Sequence, residues 1–169
     1  MWWLVWMIFT GTYEHGIDGK NRLAIPAKWR SRLDPIKDGP GFYIAPGTPP
    51  TTLWLYTERR FEALAEQIQS ELIQDEDVLR FVQSFFPRAD LVELDTQGRI
   101  LIPEKMLKSA GLGKDVIVCG ALNHIEIRSP EEHEKQSVED LERSREHQLK
   151  ARRTLQSFQR RVGKEPDAT

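Results

Sequence analysis

Residues 17–28 and 94–105 carry nearly the same message. The first stretch reads Ile-Asp-Gly-Lys-Asn-Arg-Leu-Ala-Ile-Pro-Ala-Lys and the second Leu-Asp-Thr-Gln-Gly-Arg-Ile-Leu-Ile-Pro-Glu-Lys. Asp18, Arg22, Pro26 and Lys28 fall on Asp95, Arg99, Pro103 and Lys105 at a constant offset of 77 residues, without a gap. An apolar residue, Asp-x-x-x-Arg, an apolar triplet and Pro-x-Lys together form too long a match for chance. The chain is an internal duplication, so its fold should be a pseudo-symmetric pair of half-units.

Each copy reads as strand, tight turn, strand, short helix. In the first, Tyr13 to Ile17 and Leu23 to Ile25 flank the turn, with Gly19, Lys20 and Asn21 between Asp18 and Arg22. A loop of this length commonly ends on a residue in the left-handed region, and Asn21 and Gly98, which share that position, are residues that tolerate it. Pro26 and Pro103 suit a helix start, where a missing N–H costs nothing. The helices are expected over Ala27–Leu33 and Glu104–Ala110, the second stopping at Gly111. Further strands are expected at Gly41–Ala45, Leu53–Tyr56, Val116–Cys119 and His124–Arg128. Helices at Glu58–Leu72 and Asp75–Phe86 carry apolar stripes expected to be packing faces. The resulting organisation is an apolar leader (1–10), a first repeat with its helix (11–73), a second repeat with its preceding helix (74–130) and a charged helical tail (131–169).

A chain of 169 residues suits one duplicated domain with an extension. A net charge of −2 gives no global attraction for nucleic acid or acidic membrane, so such a partner needs a local basic patch or several chains together. Cys119 is the single cysteine and sits in an apolar run, which excludes an internal disulfide and reads as a buried residue. The leader Met1 to Phe9 has no basic n-region and is far short of the roughly 20 apolar residues of a membrane span. A cytoplasmic protein is expected, with Met7 an alternative start. His15, His124, His133 and His147 are scattered without metal-site spacing, and no phosphate loop or activated nucleophile is evident. No enzyme activity, metal or cofactor is expected, and no small-molecule substrate.

The Asp-x-x-x-Arg turn supports two readings. An exposed Asp–Arg pair stabilises by about 0–1 kcal/mol and can simply fix the turn. Alternatively the aspartate orients the arginine, whose planar fork has donors to spare for phosphate or a guanine edge. The first copy favours the second reading: Lys20 lies at the turn tip, and Lys28, Arg30 and Arg32 follow on the helix. In the second copy Gln97 and Glu104 thin the charge, leaving Arg99, Lys105 and Lys108.

Gly11 to His15, the two Asp-x-x-x-Arg motifs, Arg22 to Lys28, Phe85-Phe86 and Leu94 to Pro103 together resemble the MraZ family, bacterial relatives of the AbrB-type swapped-hairpin DNA-binding proteins. The resemblance spans about residues 7–130. Pro87-Arg88, the leader and the tail after about residue 130 lie outside the pattern. It implies an α+β fold, an internally duplicated double-split β-barrel with short helices and a helical C-terminal extension, assembled into homo-oligomeric rings. It also implies a nucleoid-associated regulator whose arginine turns bind double-stranded DNA at short direct repeats upstream of the division and cell-wall gene cluster, controlling its own operon. The residues expected at DNA are Asp18, Lys20, Arg22, Lys28, Arg30, Asp95, Arg99 and Lys105.

A ring-forming interaction scaffold, or an antitoxin-like module without a specific operator, is the rival reading. The tail bears on it: acidic residues from Glu131 to Glu146 precede a basic end containing Lys150, Arg152, Arg153, Arg160, Arg161 and Lys164. That pattern reads as a solvated, self-paired helix dispensable for specific DNA binding.

Overall fold

The strands on either side of each Asp-x-x-x-Arg turn part company, and the fold follows from where they go. The computed structural model describes residues 7–69 and 75–162. Its strands are β1 (Thr12–Gly16), β2 (Arg22–Ala24), β3 (Gly41–Pro46), β4 (Thr52–Thr57), β5 (Asp90–Glu93), β6 (Arg99–Leu101), β7 (Asp115–Gly120) and β8 (Ile125–Arg128). The helices are α1 (Ala27–Arg30), α2 (Glu58–Gln67), α3 (Glu76–Phe85), α4 (Glu104–Ala110) and α5 (Pro130–Val162), with a 3-10 turn over Phe86–Arg88. Residues 1–6 of the leader and the expected end of α2 at Leu72 lie outside the described residues.

The turns form as expected, but the hairpin ladders do not. Past a single bridge between Ile17 and Leu23, β2 leaves β1 and pairs antiparallel with β6 of the other repeat. β1 joins β7 and β5 joins β3. The reason is burial: Leu23, Ile25, Ile100 and Ile102 are all at most 1% exposed, and side-by-side arms place all four in one core. Each such side chain contributes about 1.5–3 kcal/mol when removed from water.

The ribbon register is Arg22↔Leu101, Leu23↔Ile100 and Ala24↔Arg99. Since Leu23 and Ile100 are equivalent under the 77-residue offset, a pseudo-twofold axis passes between them. The flanking bonds obey it: Ile25 N–H donates to Gly98 O (3.0 Å) and Ile102 N–H to Asn21 O (2.9 Å). The other six strands form one sheet in the order β1-β7-β8-β4-β3-β5, which reads the same from either end once the repeats are exchanged. The fold is mixed α+β, and its described strands make an open antiparallel sheet and a ribbon, not a closed barrel.

Alternation along the strands separates two apolar layers. Phe42, Ile44, Leu53, Leu55, Val116, Val118, Ile125 and Ile127 face the main core with the ribbon, Trp29 and Met106. Ala45 and Tyr56 face the other way, against Phe61 of α2 and Phe85 of α3. Only part of the α3 stripe packs, because Leu79 is 40% exposed. Cys119 is buried on β7, as its apolar setting suggested.

Both repeat helices start after their proline, whose carbonyl takes the first helical bonds: Trp29 N–H to Pro26 O and Met106 N–H to Pro103 O, each 2.9 Å. α1 stops at Arg30, short of the expected Leu33, while α4 ends on left-handed Gly111 as expected. Residues to Pro130 make one compact unit and those from Glu131 a second. The second is the long helix α5, on which Val138, Leu141, Leu149 and Leu155 are exposed.

Candidate nucleic-acid interface

Each turn is organised by its aspartate. Asp18 Oδ1 accepts the backbone N–H groups of Lys20 (2.9 Å) and Arg22 (3.0 Å), and Oδ2 accepts Arg22 Nε at 2.7 Å, with Nη2 also 2.7 Å away. Asp95 repeats the arrangement with the backbone of Gln97 and Arg99 (both 2.9 Å) and with Arg99 Nε and Nη2 (both 2.8 Å). The loops close through Asn21 N–H to Asp18 O and Gly98 N–H to Asp95 O, both 2.9 Å. Asn21 (φ 60°) and Gly98 (φ 74°) take the left-handed conformation that the sequence assigned them.

The clasp is electrostatic as well as geometric. The Arg22 guanidinium, then the Arg22 backbone N–H, hold the Asp18 carboxyl down at about 2. At Asp95 the backbone N–H of Arg99 and then its guanidinium lower the pKa in the same sense. Both carboxylates are therefore ionised at neutral pH, and each guanidinium is gripped by one edge. The Arg22 side chain remains 31% exposed and that of Arg99 25%, so neither guanidinium is enclosed by its clasp.

The crossed ribbon places the two clasps side by side. Arg99 Nη1 stands 4.0 Å from Asp18 Oδ2, a contact between residues of different repeats. Lys20 is exposed at the tip of the first turn, where the second has Gln97. Arg30 also belongs to this surface, as a brace: its Nε donates to Ile25 O (2.9 Å) and Nη1 to Gln97 O (3.5 Å). Its guanidinium lies on Gly98, where any Cβ would collide with it, which explains glycine in the second turn and asparagine in the first.

Asp18, Lys20, Arg22, Arg30, Asp95 and Arg99 thus form one surface. Lys28 and Lys105 are exposed on α1 and α4 and make no ion pair with the turns; Lys105 borders a cavity beside Arg88. Lys108 is engaged by Glu104 at 2.6 Å. Burial lowers the pKa of His15, which adds no charge near neutrality. The brace by Arg30 and the proximity of the turns escaped sequence reasoning, since both depend on contacts between positions 67 or more residues apart. The unequal pair Asn21 and Gly98 was the one local hint. Among the described residues no cluster of three His, Cys, Asp or Glu side chains is placed to hold a metal, and no helix is long and apolar enough to cross a membrane.

A family model described as "MraZ protein, putative antitoxin-like" matches residues 85–156. The match corrects the expected limit of the pattern near residue 130, because it includes the tail as far as residue 156. Among curated relatives, the "Transcriptional regulator MraZ" of Clostridium tetani (strain Massachusetts / E88) is 35% identical over 128 residues, 76% of this chain and 86% of the relative. The protein of the same name from Clostridium botulinum (strain Eklund 17B / Type B) is 34% identical over 135 residues, 80% of this chain and 91% of its own. That of Acetivibrio thermocellus is 38% identical over 120 residues, 71% and 80% of the two chains.

Proposed function

The chain belongs to the MraZ family, and from that premise we propose that it is a DNA-binding regulator of transcription whose paired arginine turns read short direct repeats. The repeats lie upstream of the division and cell-wall gene cluster, including the protein's own operon. One observation carries the reading: two Asp-clasped guanidinium groups stand side by side, each with its side chain partly exposed. Holding one edge by a carboxylate fixes the plane of the fork, and the other edge can then donate two bonds to guanine O6 and N7 or to a phosphate. The relatives are named as regulators of transcription and not as enzymes.

Lys20 and Arg30 supply charge next to the clasps, and Lys28 and Lys105 are outlying candidates for phosphate contacts. The crossed ribbon over a palindromic sheet supports reading the fold as the family's double-split barrel. A chain of net charge −2 with so small a basic surface binds one site weakly. A homo-oligomeric ring on several repeats makes the later contacts intramolecular and raises avidity without new chemistry. The protein then works in the cytoplasm, on the nucleoid.

The test is gel-shift and footprinting on the upstream region of its own operon, with Arg22→Ala and Arg99→Ala. Each variant is expected to weaken binding about 5–150-fold, the range for one bidentate base contact. Wild-type affinity should fall with salt at a slope near −0.9 per phosphate contacted. An Arg22→Ala protein that is folded, oligomeric and binds as tightly as wild type would overturn the assignment. A second reading, an antitoxin-like or scaffold module, is favoured by the exposed Leu141 and Leu155 of α5. It predicts retention of a protein partner by the tail and no preference for the repeats.

A further inference from the structure

The duplication allows each half of the molecule to be read against the other, and the halves differ most behind their helices. In the first repeat that space is filled by Trp29, 2% exposed, which packs edge-on against Phe9 and Tyr13 and donates from Nε1 to Thr10 O at 3.0 Å. At the same offset the second repeat has Met106 for Trp29, Phe86 for Phe9, Asp90 for Tyr13 and Pro87 for Thr10. Phe86 does not turn inward as Phe9 does; it joins the opposite apolar layer beside Phe61. Next to Met106 lies a cavity of about 310 Å³, bordered also by Pro46, Pro50, Pro87 and Ser109.

Its rim carries two cations, Arg88 and Lys105. Arg88 spends Nε on Ser84 O (2.6 Å), and neither residue has a carboxylate partner among the described residues. An apolar recess of this size, with charge of one sign at its mouth, matches the general form of a small-ligand site. We propose that this cavity binds a small organic anion: a carboxylate held by Arg88 and Lys105, with an apolar ring seated against Met106 and the prolines. The guanidinium supplies a planar pair of donors and the ammonium a point charge. The ring takes the place that the Trp29 indole fills in the first repeat. Because α4 follows directly from the β6 arm that carries Arg99, the ligand would sit beside the element that presents the second clasp.

The test titrates the full-length protein, without DNA, with indole-3-acetate and with its uncharged counterpart indole-3-ethanol, followed by calorimetry. The acid is expected to saturate one site per chain and to bind about tenfold or more tightly than the alcohol, as loss of charge-assisted hydrogen bonds predicts. Arg88→Ala and Lys105→Ala should each weaken it about tenfold at unchanged Tm, because both side chains are exposed. Met106→Trp should abolish binding by refilling the space; if that variant fails to fold, Ser109→Phe at the rim closes the same cavity. Absence of saturable binding, equal affinity for the alcohol, or affinity unmoved by both cation variants would overturn the proposal. The outcome is separate from that of the DNA experiment.

Discussion

At the scale of single residues, the most informative atoms are the four carboxylate oxygens of Asp18 and Asp95. Each aspartate satisfies two backbone donors with one oxygen and an arginine with the other, so one side chain closes the turn and aims a cation. The folded pKa of Asp18 is about 2 against an ordinary 3.8. A depressed carboxylate stabilises the fold above its unfolded pKa, and the contribution is lost as pH falls from 3.8 towards about 2. An NMR titration of the Asp18 carboxyl should therefore have its midpoint near 2, whereas a midpoint near the ordinary value would mean that the clasp is open in solution. The left-handed loop residues make a second prediction. Gly98→Ala forces a Cβ onto Arg30 at a φ of 74° and should cost about 1–2 kcal/mol in urea unfolding. Asn21→Gly should stay within about 0.5 kcal/mol, since asparagine already tolerates that conformation.

Among the elements, α1 and α4 show what duplication preserves and what it releases. Both begin after proline and both bury their third residue, Trp29 or Met106. Trp29→Ala removes an indole in contact with Phe9, Tyr13 and Thr10 and should cost about 3–5 kcal/mol. Met106→Ala, beside an existing cavity, should fall nearer about 2 kcal/mol, measured by the same unfolding curves. On the opposite face of the sheet, His124 lies between Trp54 and Tyr56. Burial, then the Arg128 charge, push its pKa down to about 4, although Glu126 stands 3.3 Å from Nε2; that carboxylate is shared with Arg128. Below pH 6.5 the unfolded chain takes up a proton that the folded one refuses, so the His124 contribution to stability should decline from there to about 4. His124→Gln should flatten that part of the Tm–pH curve. What the sequence revealed about these elements was local: turn chemistry, the prolines, the strand alternation and the Gly111 stop all follow from neighbouring residues. The partner of β2 did not, because a three-residue arm carries no mark of which strand it will meet. The cavity did not either, because Pro46 and Pro50 meet Pro87 and Met106 in it only once the chain is folded.

Taken whole, the chain is a near-dyad with a separate helix. Since residues to Pro130 form their own compact unit, deleting 131–169 should leave its unfolding transition intact and, under the proposed function, its binding to the operator repeats as well. A large loss of DNA affinity on truncation would make α5 part of the binding surface. The dyad itself is imperfect in a consistent way: Lys20 answers to Gln97, Arg30 to Leu107, and the space behind α4 to a filled one behind α1. A perfect twofold body has no front or back and suits an inverted, palindromic site. This one has a heading. Under the proposed DNA-binding function, such a body would tell one strand direction from the other on a duplex, and copies arrayed in the proposed ring would all point the same way around it. Sites repeated in a single orientation are what such a set of compass needles can match, one after another.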